Sequence, residues 1–432
     1  MTAAMPPPTA PGAALPPAPS LARVARGDLC AGCGACAGLL PDRIALQETP
    51  PGFLRPRQTG PLSPTEDALI TRICPGLGQR VEAGHRRDDP LWGPFLDMHT
   101  GWATDPGLRF AGASGGALSA LLVHLLGTGR VTAVVQTAAA PARPIANATV
   151  LSATPDDILQ AAGSRYAPSA PLSDLGRYIA LGRPLAFVGK PCDVAALRAI
   201  AAEDAAVARA FPVMLSFFCA GVPAHAGARA ILAALGVEEG RLAAFRYRGQ
   251  GWPGRATARL QDGSERGMDY HDSWGGILSR HVQHRCRICA DGTGTAADIV
   301  CADAWDCDTQ GYPLFHEAPG VSLIVARTPL GARILAEARA AGQLTATPFD
   351  PARLAAIQPG QRERRRALLA RLAALRVCGR PVPAYRGLQL GAAARTGRPG
   401  QIAGRLARNF LGMLRRVLQG RAAPRTRKRR HP

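Results

Sequence analysis

Short apolar runs alternate with longer amphipathic runs along the central part of the chain. LAFVG (185–189) predicts a buried strand, and DVAALRAIAAE after it predicts a helix capped by Asp193. The same order recurs in PVMLSFFC and AHAGARAILAALG, and again in GVSLIVART and PLGARILAEARAAG. Strands that alternate with helices predict an α/β fold, in which a mainly parallel or mixed sheet is flanked by helices.

The two ends of the chain have other patterns. Residues 1–24 are rich in Pro and Ala without periodic apolar positions, which predicts disorder. IAGRLARNFLGMLRRVLQGR, near the C-terminus, places apolar residues three or four apart, which predicts an amphipathic helix with arginines on its other faces. We expect the Pro- and Gly-rich run from GRPVPAYRG to TGRPGQ to separate the body from this helix.

The charge is concentrated at one end. The formal net charge is +21, and residues 401–432 contain ten Arg or Lys but no Asp or Glu. Two interpretations stay open: the helix packs on the body, or this basic tail attaches to an anionic membrane surface or an acidic partner. Since no apolar run approaches the roughly 20 residues of a membrane span, we expect a cytoplasmic protein, and a peripheral position at the inner membrane face stays open.

The cysteines indicate metal or redox chemistry. There are eleven, an odd number, and no secretory signal precedes them, so reduced thiols are expected. In LCAGCGACAGLLP, Cys30, Cys33 and Cys36 have the spacing of a ferredoxin loop, with Leu40 in place of the fourth cysteine. That fourth cysteine binds the other cluster in ferredoxins, so the first three are complete with one remote partner, for which Cys74 in RICPG is the candidate. The spacing favours a small N-terminal ferredoxin-like iron–sulfur segment over zinc.

A second group of cysteines is predicted from the topology. Cys192 and Cys219 each follow a predicted strand, and the carboxyl ends of parallel strands share one edge, where ligands usually bind. HRCRICAD adds Cys286 and Cys289 as a Cys-x-x-Cys pair, which completes a site of four sulfurs. The alternative is that Cys192 and Cys219 are small core residues, as free cysteines often are.

Two further motifs carry no metal ligands. Ser114-Gly115-Gly116 directly precedes a predicted helix, whose amide donors could bind a phosphate or a flavin pyrophosphate, or whose start could simply be tightly packed. In AAGSRYAPS, Arg165 and Tyr166 could hold a cofactor's phosphate and ring, or belong to an ordinary loop.

These motifs occur together in an order that resembles a known family. The chain is similar, over about residues 27 to 390, to the beta subunit family of the coenzyme F420 hydrogenases and dehydrogenases. The motifs that carry the resemblance are C-x2-C-x2-C, C-P-G, A-S-G-G, G-S-R-Y, V-G-K-P-C, F-F-C, R-G-x-G-W-P-G, S-W-G, C-x2-C and A-D-I-V-x-A-D-A-W.

The resemblance implies a flavoprotein that binds FAD without a Rossmann domain and carries one or two 4Fe-4S clusters. By position, the N-terminal cluster would be held by Cys30, Cys33, Cys36 and Cys74, and the internal cluster by Cys192, Cys219, Cys286 and Cys289. The residues expected near the flavin are Ser114, Gly115, Gly116, Gly163, Ser164, Arg165, Tyr166 and Lys190. Cys301 and Cys307 are interpreted as non-ligands and Cys378 as structural.

The chain divides into six predicted segments. They are a disordered N-terminus (1–24), the iron–sulfur segment (25–95), a flavin-binding part (96–180), an α/β part with the second cluster (181–358), a helix and Pro/Gly-rich connector (359–400), and the basic amphipathic tail (401–432).

Three functional hypotheses follow. The first is an oxidoreductase that takes electrons from a ferredoxin-like donor through the clusters to FAD and on to a substrate as hydride, in polysaccharide-related or pigment metabolism, with use of the deazaflavin coenzyme left open. The second is an electron-transfer subunit that docks on a partner oxidoreductase. The third, a zinc-stabilised nucleic-acid-binding protein, is disfavoured because only 5% of residues are aromatic and none interleave with basic residues.

The catalytic acid is not identified by the sequence. Asp291, His271, Asp303 and Asp306 lie near the motifs, but none has a spacing that assigns it a role.

Overall fold

The computed structural model of the chain describes residues 15–305, 314 and 317–420. The strands in these residues are β1 (Ile44–Thr49), β2 (Phe53–Gln58), β3 (Gly78–Arg80), β4 (Arg87–Asp89), β5 (Gly93–Phe95), β6 (Asp97–Ala103), β7 (Ala133–Ala140), β8 (Arg143–Ser152), β9 (Leu185–Gly189), β10 (Val213–Phe217), β11 (Leu242–Arg246), β12 (Arg255–Leu260), β13 (Glu265–Asp269), β14 (Ile299–Asp303), β15 (Ser322–Ala326), β16 (Leu344–Pro348) and β17 (Ala384–Arg386).

Helices cover both faces of the largest sheet and form the two ends of the described chain. They are α1 (Pro19–Gly27), α2 (Ala35–Leu39), α3 (Pro64–Ile73), α4 (Pro106–Ala111), α5 (Ala117–Gly127), α6 (Pro155–Gln160), α7 (Leu175–Ala180), α8 (Pro191–Glu203), α9 (Ala205–Ala210), α10 (His225–Ala234), α11 (His284–Arg287), α12 (Pro329–Ala340), α13 (Leu354–Ile357), α14 (Pro359–Val377), α15 (Leu390–Arg395) and α16 (Pro399–Leu418). In the described part of the chain, no helix is both long and apolar enough to span a membrane.

The central sheet is mixed, which confirms the predicted α/β class. Its eight strands lie in the order β16-β6-β15-β14-β10-β9-β7-β8. The four middle strands, β14, β10, β9 and β7, are parallel to one another. The strands on either side of them pair antiparallel. A separate antiparallel sheet of β11, β12 and β13 lies beside it.

Successive side chains of the central strands pack alternately into two separate hydrophobic cores. Val135, Phe187 and Met214 share one core with apolar residues of α7, α8 and α9. Their chain neighbours Val134 and Ala186 share the other core with apolar residues of α5 and α12. Successive side chains of a strand point to opposite faces, so a strand covered by helices on both sides is apolar throughout, as LAFVG is.

The predicted helix after β9 begins two residues earlier than expected. Lys190, not Asp193, is the residue at the N-terminal cap of α8, so the prediction that Asp193 caps this helix is wrong. Asp193 lies in the first turn, and its carboxylate accepts a hydrogen bond from the backbone N–H of Lys190 at 3.0 Å. Pro191 starts the helix because its missing N–H would have no intrahelical acceptor there.

The ordered part of the chain begins earlier than the predicted boundary at residue 24. Helix α1 begins at Pro19, so the prediction of disorder for residues 1–24 is wrong for residues 19–24, and residues 1–14 lie outside the described residues. The Ser20 hydroxyl donates to the Asp67 carboxylate at 2.6 Å, which ties α1 to α3.

Helix α3 is closed by a capping box and ends directly before Cys74. The backbone N–H of Glu66 donates to Ser63 Oγ at 3.3 Å, and the Glu66 carboxylate accepts from the Ser63 backbone N–H at 2.7 Å. These bonds satisfy two backbone N–H groups that the helix leaves unpaired. The cap therefore fixes the start of the helix that carries Cys74 at its other end.

We expect Ser63→Ala to lower the free energy of unfolding by about 1 kcal/mol, because the substitution removes this cap. Chemical denaturation of the reduced, metal-free chain would measure it. Thr71→Ala, in the same helix, is the control, since the Thr71 hydroxyl only donates to the Asp67 carbonyl within the helix. Equal losses in the two variants would contradict a specific role for the cap.

The C-terminal helix packs on the body, as the first of the two interpretations predicted. Met413 of α16 is 3% exposed and lies in a core with Leu368 and Leu372 of α14. Buried Arg405 donates to the carbonyls of Ala394 and Thr396. Residues 421–432, which hold the densest part of the basic tail, lie outside the described residues.

The Pro- and Gly-rich run before this helix is part of the fold. Strand β17, inside the run, pairs in parallel with β3 of the N-terminal segment. The expectation that the run separates the body from the terminal helix is therefore wrong. Pairing of β17 with β3 brings the C-terminal part of the chain against the segment that carries Cys74.

Candidate functional site

The four N-terminal cysteines lie together beside α1 and α3. Cys30 and Cys33 precede α2, Cys36 is in it, and Cys74 follows α3. Burial raises the pKa of the Cys74 thiol to about 11, and the nearby Cys30 contributes to that rise. The backbone N–H of Gly32 donates to Cys30 Sγ at 3.3 Å. N–H donors to sulfur are among the contacts that tune cysteine-held iron–sulfur clusters.

The four internal cysteines also converge, as the strand topology predicted. Cys192 lies in the first turn of α8 after β9, and Cys219 lies just past β10. Burial raises the pKa of the Cys219 thiol to about 12, and Cys286 and Cys289 act in the same direction. Cys286 Sγ accepts from the backbone N–H of Val222 and from the Gln283 amide, both at 3.4 Å. The cysteines expected for each group thus lie near one another, and their role as metal ligands stays a prediction.

The segment 283–289, which carries Cys286 and Cys289 of the internal group, also contacts the N-terminal group. The Gln283 amide donates to the Ala31 carbonyl at 3.4 Å as well as to Cys286 Sγ. Arg285 Nη2 donates to the Pro75 carbonyl, next to Cys74, at 2.6 Å. Arg285 is only 2% exposed, and its Nε and Nη1 have no hydrogen-bond acceptor among the described residues. A buried cation with unused donors fits an anionic group between these thiols, such as an iron–sulfur cluster with its thiolates.

The cysteines within the described ranges are all free thiols, ten in number. Within the same ranges, no three His, Cys, Asp or Glu side chains lie close enough to hold a single metal ion. A 4Fe-4S cluster does not need side chains that surround a single metal ion, because each of its four cysteine thiolates binds a different iron. Cys301 is buried in β14, Cys378 follows α14, and Cys307 lies outside the described residues.

A cavity of about 310 Å³ opens at the carboxyl ends of β9 and β10, next to the internal cysteines. Seven of the eight residues expected near the flavin line it: Ser114, Gly116, Gly163, Ser164, Arg165, Tyr166 and Lys190. Gly115 is not among the lining residues. A Cβ at this position would lie 2.7 Å from the Gly101 carbonyl and from the Ser322 backbone nitrogen. Close backbone packing accounts for Gly115, as the alternative interpretation of that motif proposed.

Two of the candidate polar residues donate hydrogen bonds to other groups of the protein. Ser114 Oγ donates to the Val321 carbonyl at 2.9 Å. The Arg165 guanidinium donates to Asn147 and to the carbonyls of Pro144, Ala146 and Phe245. Arg165 therefore joins β8 to β11, and its guanidinium holds this wall of the cavity in place.

Four aromatic rings line part of the cavity, and of these only the ring of Tyr166 was expected near the flavin. Tyr270, Trp274 and Trp305 line the cavity together with Tyr166, whose ring lies 4.7 Å from that of Trp274. Arg248, 2% exposed, forms two 2.8 Å hydrogen bonds with the Asp303 carboxylate. Its guanidinium lies 4.4 Å from the centre of the Tyr270 ring. The motifs R-G-x-G-W-P-G and S-W-G were visible in the sequence, but nothing in them indicated which side chains would face a cavity.

Lys190 connects the cavity to the internal cysteines. Its Nζ lies 2.7 Å from both the Asp193 carboxylate and Ser169 Oγ. Burial alone would lower the pKa of Lys190, but Asp193, Cys192 and Cys219 together outweigh burial and hold that pKa above its ordinary value. The charge of Lys190 in turn acts on Cys192, and both Lys190 and Cys219 line the cavity. The cavity and the internal cysteine group thus share a wall.

The four acid candidates have different surroundings. Asp291 is buried and accepts hydrogen bonds from Thr293 and Thr295, so it holds a loop together. Asp303 lines the cavity as the partner of Arg248. His271 lies in a π-helical turn over His271–Ile277, and Asp306 lies outside the described residues.

Comparisons with known proteins agree with the resemblance seen in the sequence. Residues 98–175 match the N-terminal model of the coenzyme F420 hydrogenase/dehydrogenase beta subunit, and residues 182–352 match its C-terminal model. No curated protein sequence matches the chain.

A solved structure shares the fold. It is a chain of the xenon-derivatised F420-reducing NiFe hydrogenase complex from Methanosarcina barkeri. The two sequences are 20% identical, and the TM-score is 0.51. The match covers 64% of this chain and 91% of the hydrogenase chain. The two family models together span more than half of the sequence. This chain belongs to the coenzyme F420 hydrogenase/dehydrogenase beta subunit family, whose members are subunits of redox enzymes.

Proposed function

We propose that the chain is an iron–sulfur flavoprotein oxidoreductase that takes electrons from a ferredoxin-like donor and reduces a substrate in the cavity. The N-terminal cluster is held by Cys30, Cys33, Cys36 and Cys74, and the internal cluster by Cys192, Cys219, Cys286 and Cys289. The observation that carries the proposal is the wall that Cys219 and Lys190 share between the internal cysteines and the cavity. It gives a short route between a metal site and a space for an organic cofactor.

Each group has a defined part in this proposal. When bound, the clusters supply one-electron transfer, and FAD supplies the exchange of electron pairs as hydride. The chain positions these groups. Tyr166, Trp274 and the Tyr270 ring form an aromatic wall for a planar ring. The start of α5 also lines the cavity, and the unpaired backbone N–H groups of a helix start can bind a phosphate. Lys190 places a positive charge on the wall that the cavity shares with the internal cysteines.

A second candidate is an electron-transfer subunit that relays electrons to a partner oxidoreductase without a substrate of its own. The fold neighbour is part of a hydrogenase complex. Turnover by the isolated chain with reduced ferredoxin or dithionite, with and without the deazaflavin coenzyme, separates the two candidates. Activity of the chain alone supports the first, and activity only after addition of a partner subunit supports the second.

Anaerobic purification followed by visible spectroscopy, with iron, sulfide, zinc and flavin quantified per chain, tests the cofactor content. We expect about eight irons and one FAD per chain, since the proposal has two clusters of four irons, each held by four cysteines. Zinc without flavin or sulfide would overturn the proposal.

We expect Tyr166→Leu to weaken FAD binding about two- to tenfold, because it removes a ring from the aromatic wall and such contacts are worth about 0.5 to 1.5 kcal/mol. Titration of the flavin-depleted protein with FAD would measure the dissociation constant. Tyr178→Leu is the control, since Tyr178 is buried in the core against Phe211, away from the cavity lining. Equal weakening in both variants would mean that general destabilisation, not the cavity wall, is responsible.

A further inference from the structure

Four half-buried arginines from three helices lie together near the internal cysteines. This arginine cluster consists of Arg287 at the end of α11, Arg364 and Arg371 of α14, and Arg416 of α16. Arg371 connects the three helices, because its guanidinium donates to the Arg287 carbonyl at 3.1 Å and to Asn409 of α16 at 2.9 Å. Arg416 follows Asn409 by two helical turns and therefore lies on the same face of α16.

Three members of the arginine cluster, Arg287, Arg364 and Arg371, form no ion pair within the described ranges. Every hydrogen-bond acceptor of their guanidiniums there is a neutral oxygen, such as the Cys219 carbonyl, 3.0 Å from Arg364 Nη1. Arg287 Nε is buried and has no acceptor among the described residues. Burial and the other three charges of the cluster lower the pKa of Arg371 to about 10. An anion that approaches the cluster would relieve this repulsion.

The helices that carry the arginine cluster add further positive charge around it. Together α14 and α16 contain ten Arg and one acidic residue, Glu363, which already pairs with two arginines of α14. Arg280 and Arg415 are exposed and are chain neighbours of residues that form or contact the cluster. Residues 421–432, which follow α16 in the sequence, contain six Arg or Lys and no acidic residue. This charge complements a strongly acidic macromolecule.

The position of the arginine cluster favours one kind of acidic macromolecule, an electron-carrier protein. Arg287 directly follows Cys286, and Arg364 contacts the Cys219 carbonyl, so a protein bound here would lie next to the internal cysteine group. Proteins that exchange electrons associate through small interfaces, and charge steers their encounter. Neither a membrane surface nor a nucleic acid requires a position beside these thiols.

We propose that the arginine cluster is the docking surface for an acidic electron-carrier protein, which delivers electrons to the internal cysteine group. This inference rests on the proposed function, and it identifies where the donor binds. Because the attraction comes from charge, binding should be strong at low ionic strength and weak at high ionic strength.

The test is the affinity of the full-length, anaerobically purified protein for a ferredoxin of net negative charge, measured by isothermal titration calorimetry. We expect Arg287→Gln/Arg371→Gln/Arg416→Gln to weaken binding at least about tenfold at low ionic strength, because three charges that attract the partner are lost. Salt screens the same attraction, so a high-salt buffer should weaken binding of the unsubstituted protein more than that of the variant.

The control variant removes the same charge from another part of the surface. Arg177→Gln/Arg183→Gln/Arg209→Gln replaces three exposed arginines on or near α7 and α9. It should change the affinity by less than about twofold, since these arginines are not part of the cluster. Equal weakening in the control and in the cluster variant would overturn the docking surface, because net charge alone would then explain the loss.

Two further variants separate the effect of charge from that of folding, since the cluster arginines also make hydrogen bonds within the protein. The triple variant with Lys in place of Arg at the three cluster positions keeps the charge and should bind the ferredoxin almost as tightly as the unsubstituted protein. Arg280→Gln/Arg415→Gln changes only exposed side chains and should weaken binding several-fold in the same direction. Unchanged affinity in this second variant, together with loss of folding in the first Gln variant, would overturn the proposal.

Other outcomes identify a different occupant or a different function. An unsubstituted protein that does not bind the ferredoxin would overturn the docking surface. The same holds if the cluster variant binds ferredoxin normally but no longer sediments with phosphatidylglycerol vesicles, which would assign the arginines to a membrane. Binding is measured without turnover, so it is independent of the cofactors of this chain. A protein that binds ferredoxin through the cluster but contains no iron, sulfide or flavin would instead overturn the proposed function.

Discussion

Replacement of both Cys286 and Cys289 by alanine is expected to halve the iron and sulfide bound per chain, from about eight irons to about four. Two of the four thiolates of the internal site are then missing, and the remaining Cys192 and Cys219 cannot hold a 4Fe-4S cluster. The N-terminal cysteines are a separate group, so their cluster should be retained. Iron and sulfide analysis of anaerobically purified protein measures the change.

The matched variant replaces Cys33 and Cys36. It should also lose half of the iron but retain its flavin, because the N-terminal cysteines do not line the described cavity. The internal variant should bind flavin more weakly, since Cys219 and Lys190 form part of the cavity wall. Cys378→Ala, a free thiol after α14, should leave the iron content unchanged.

The two double variants together distinguish the arrangements of metal that the cysteines allow. Loss of all iron from either variant would contradict two independent sites. Unchanged iron in the Cys33 and Cys36 variant would mean that the chain holds one cluster, at the internal site. Zinc that falls in parallel with the thiols, without sulfide, would support the zinc hypothesis instead.

The elements that the sequence predicted well are those defined by neighbouring residues. Strands β9 and β10 and the helices after them follow from apolar runs of the right length, because burial on both faces requires an apolar residue at every position. The antiparallel pairing of β15 with β14 and β6 did not follow, although β15 was predicted as a strand. The direction of a strand depends on contacts between segments far apart in the sequence, which no local pattern records.

The candidate functional site also combines features that a local sequence pattern predicts with features that depend on distant contacts. Cysteine spacing is a local signal tied to one kind of chemistry, so both groups could be predicted, and the topology explained why Cys192 and Cys219 meet. Arg285 and Arg248 could not be predicted as buried, because arginine is normally a surface residue and only the tertiary structure shows what surrounds it. Gly115 was assigned to the cofactor from its motif, whereas its close contact with Gly101 shows that packing requires a glycine there.

Arg248→Met is expected to lower the free energy of unfolding by about 3 to 5 kcal/mol and to release the flavin. The Arg248 side chain is 3% exposed and that of Asp303 is 19% exposed, so the substitution leaves a largely buried carboxylate without its cation. The guanidinium also lies 5.0 Å from the centre of the Trp305 ring, and its loss removes the contact that orders this aromatic wall. Thermal unfolding and flavin content of the purified variant measure the two effects.

A surface ion pair of similar geometry provides the control. Arg72 makes two hydrogen bonds of 2.7 Å to Glu203, but the two side chains are 55% and 35% exposed. Arg72→Met should therefore cost at most about 1 kcal/mol and leave the flavin in place.

The double variant Arg248→Met/Asp303→Asn identifies the cause of the larger loss of stability in Arg248→Met. If the unpaired carboxylate is responsible, the double variant should be more stable than Arg248→Met, although its flavin binding should stay weak because the aromatic wall still lacks the guanidinium. A double variant no more stable than Arg248→Met would show that the stability comes from the stacking of Arg248 on the rings and not from its charge.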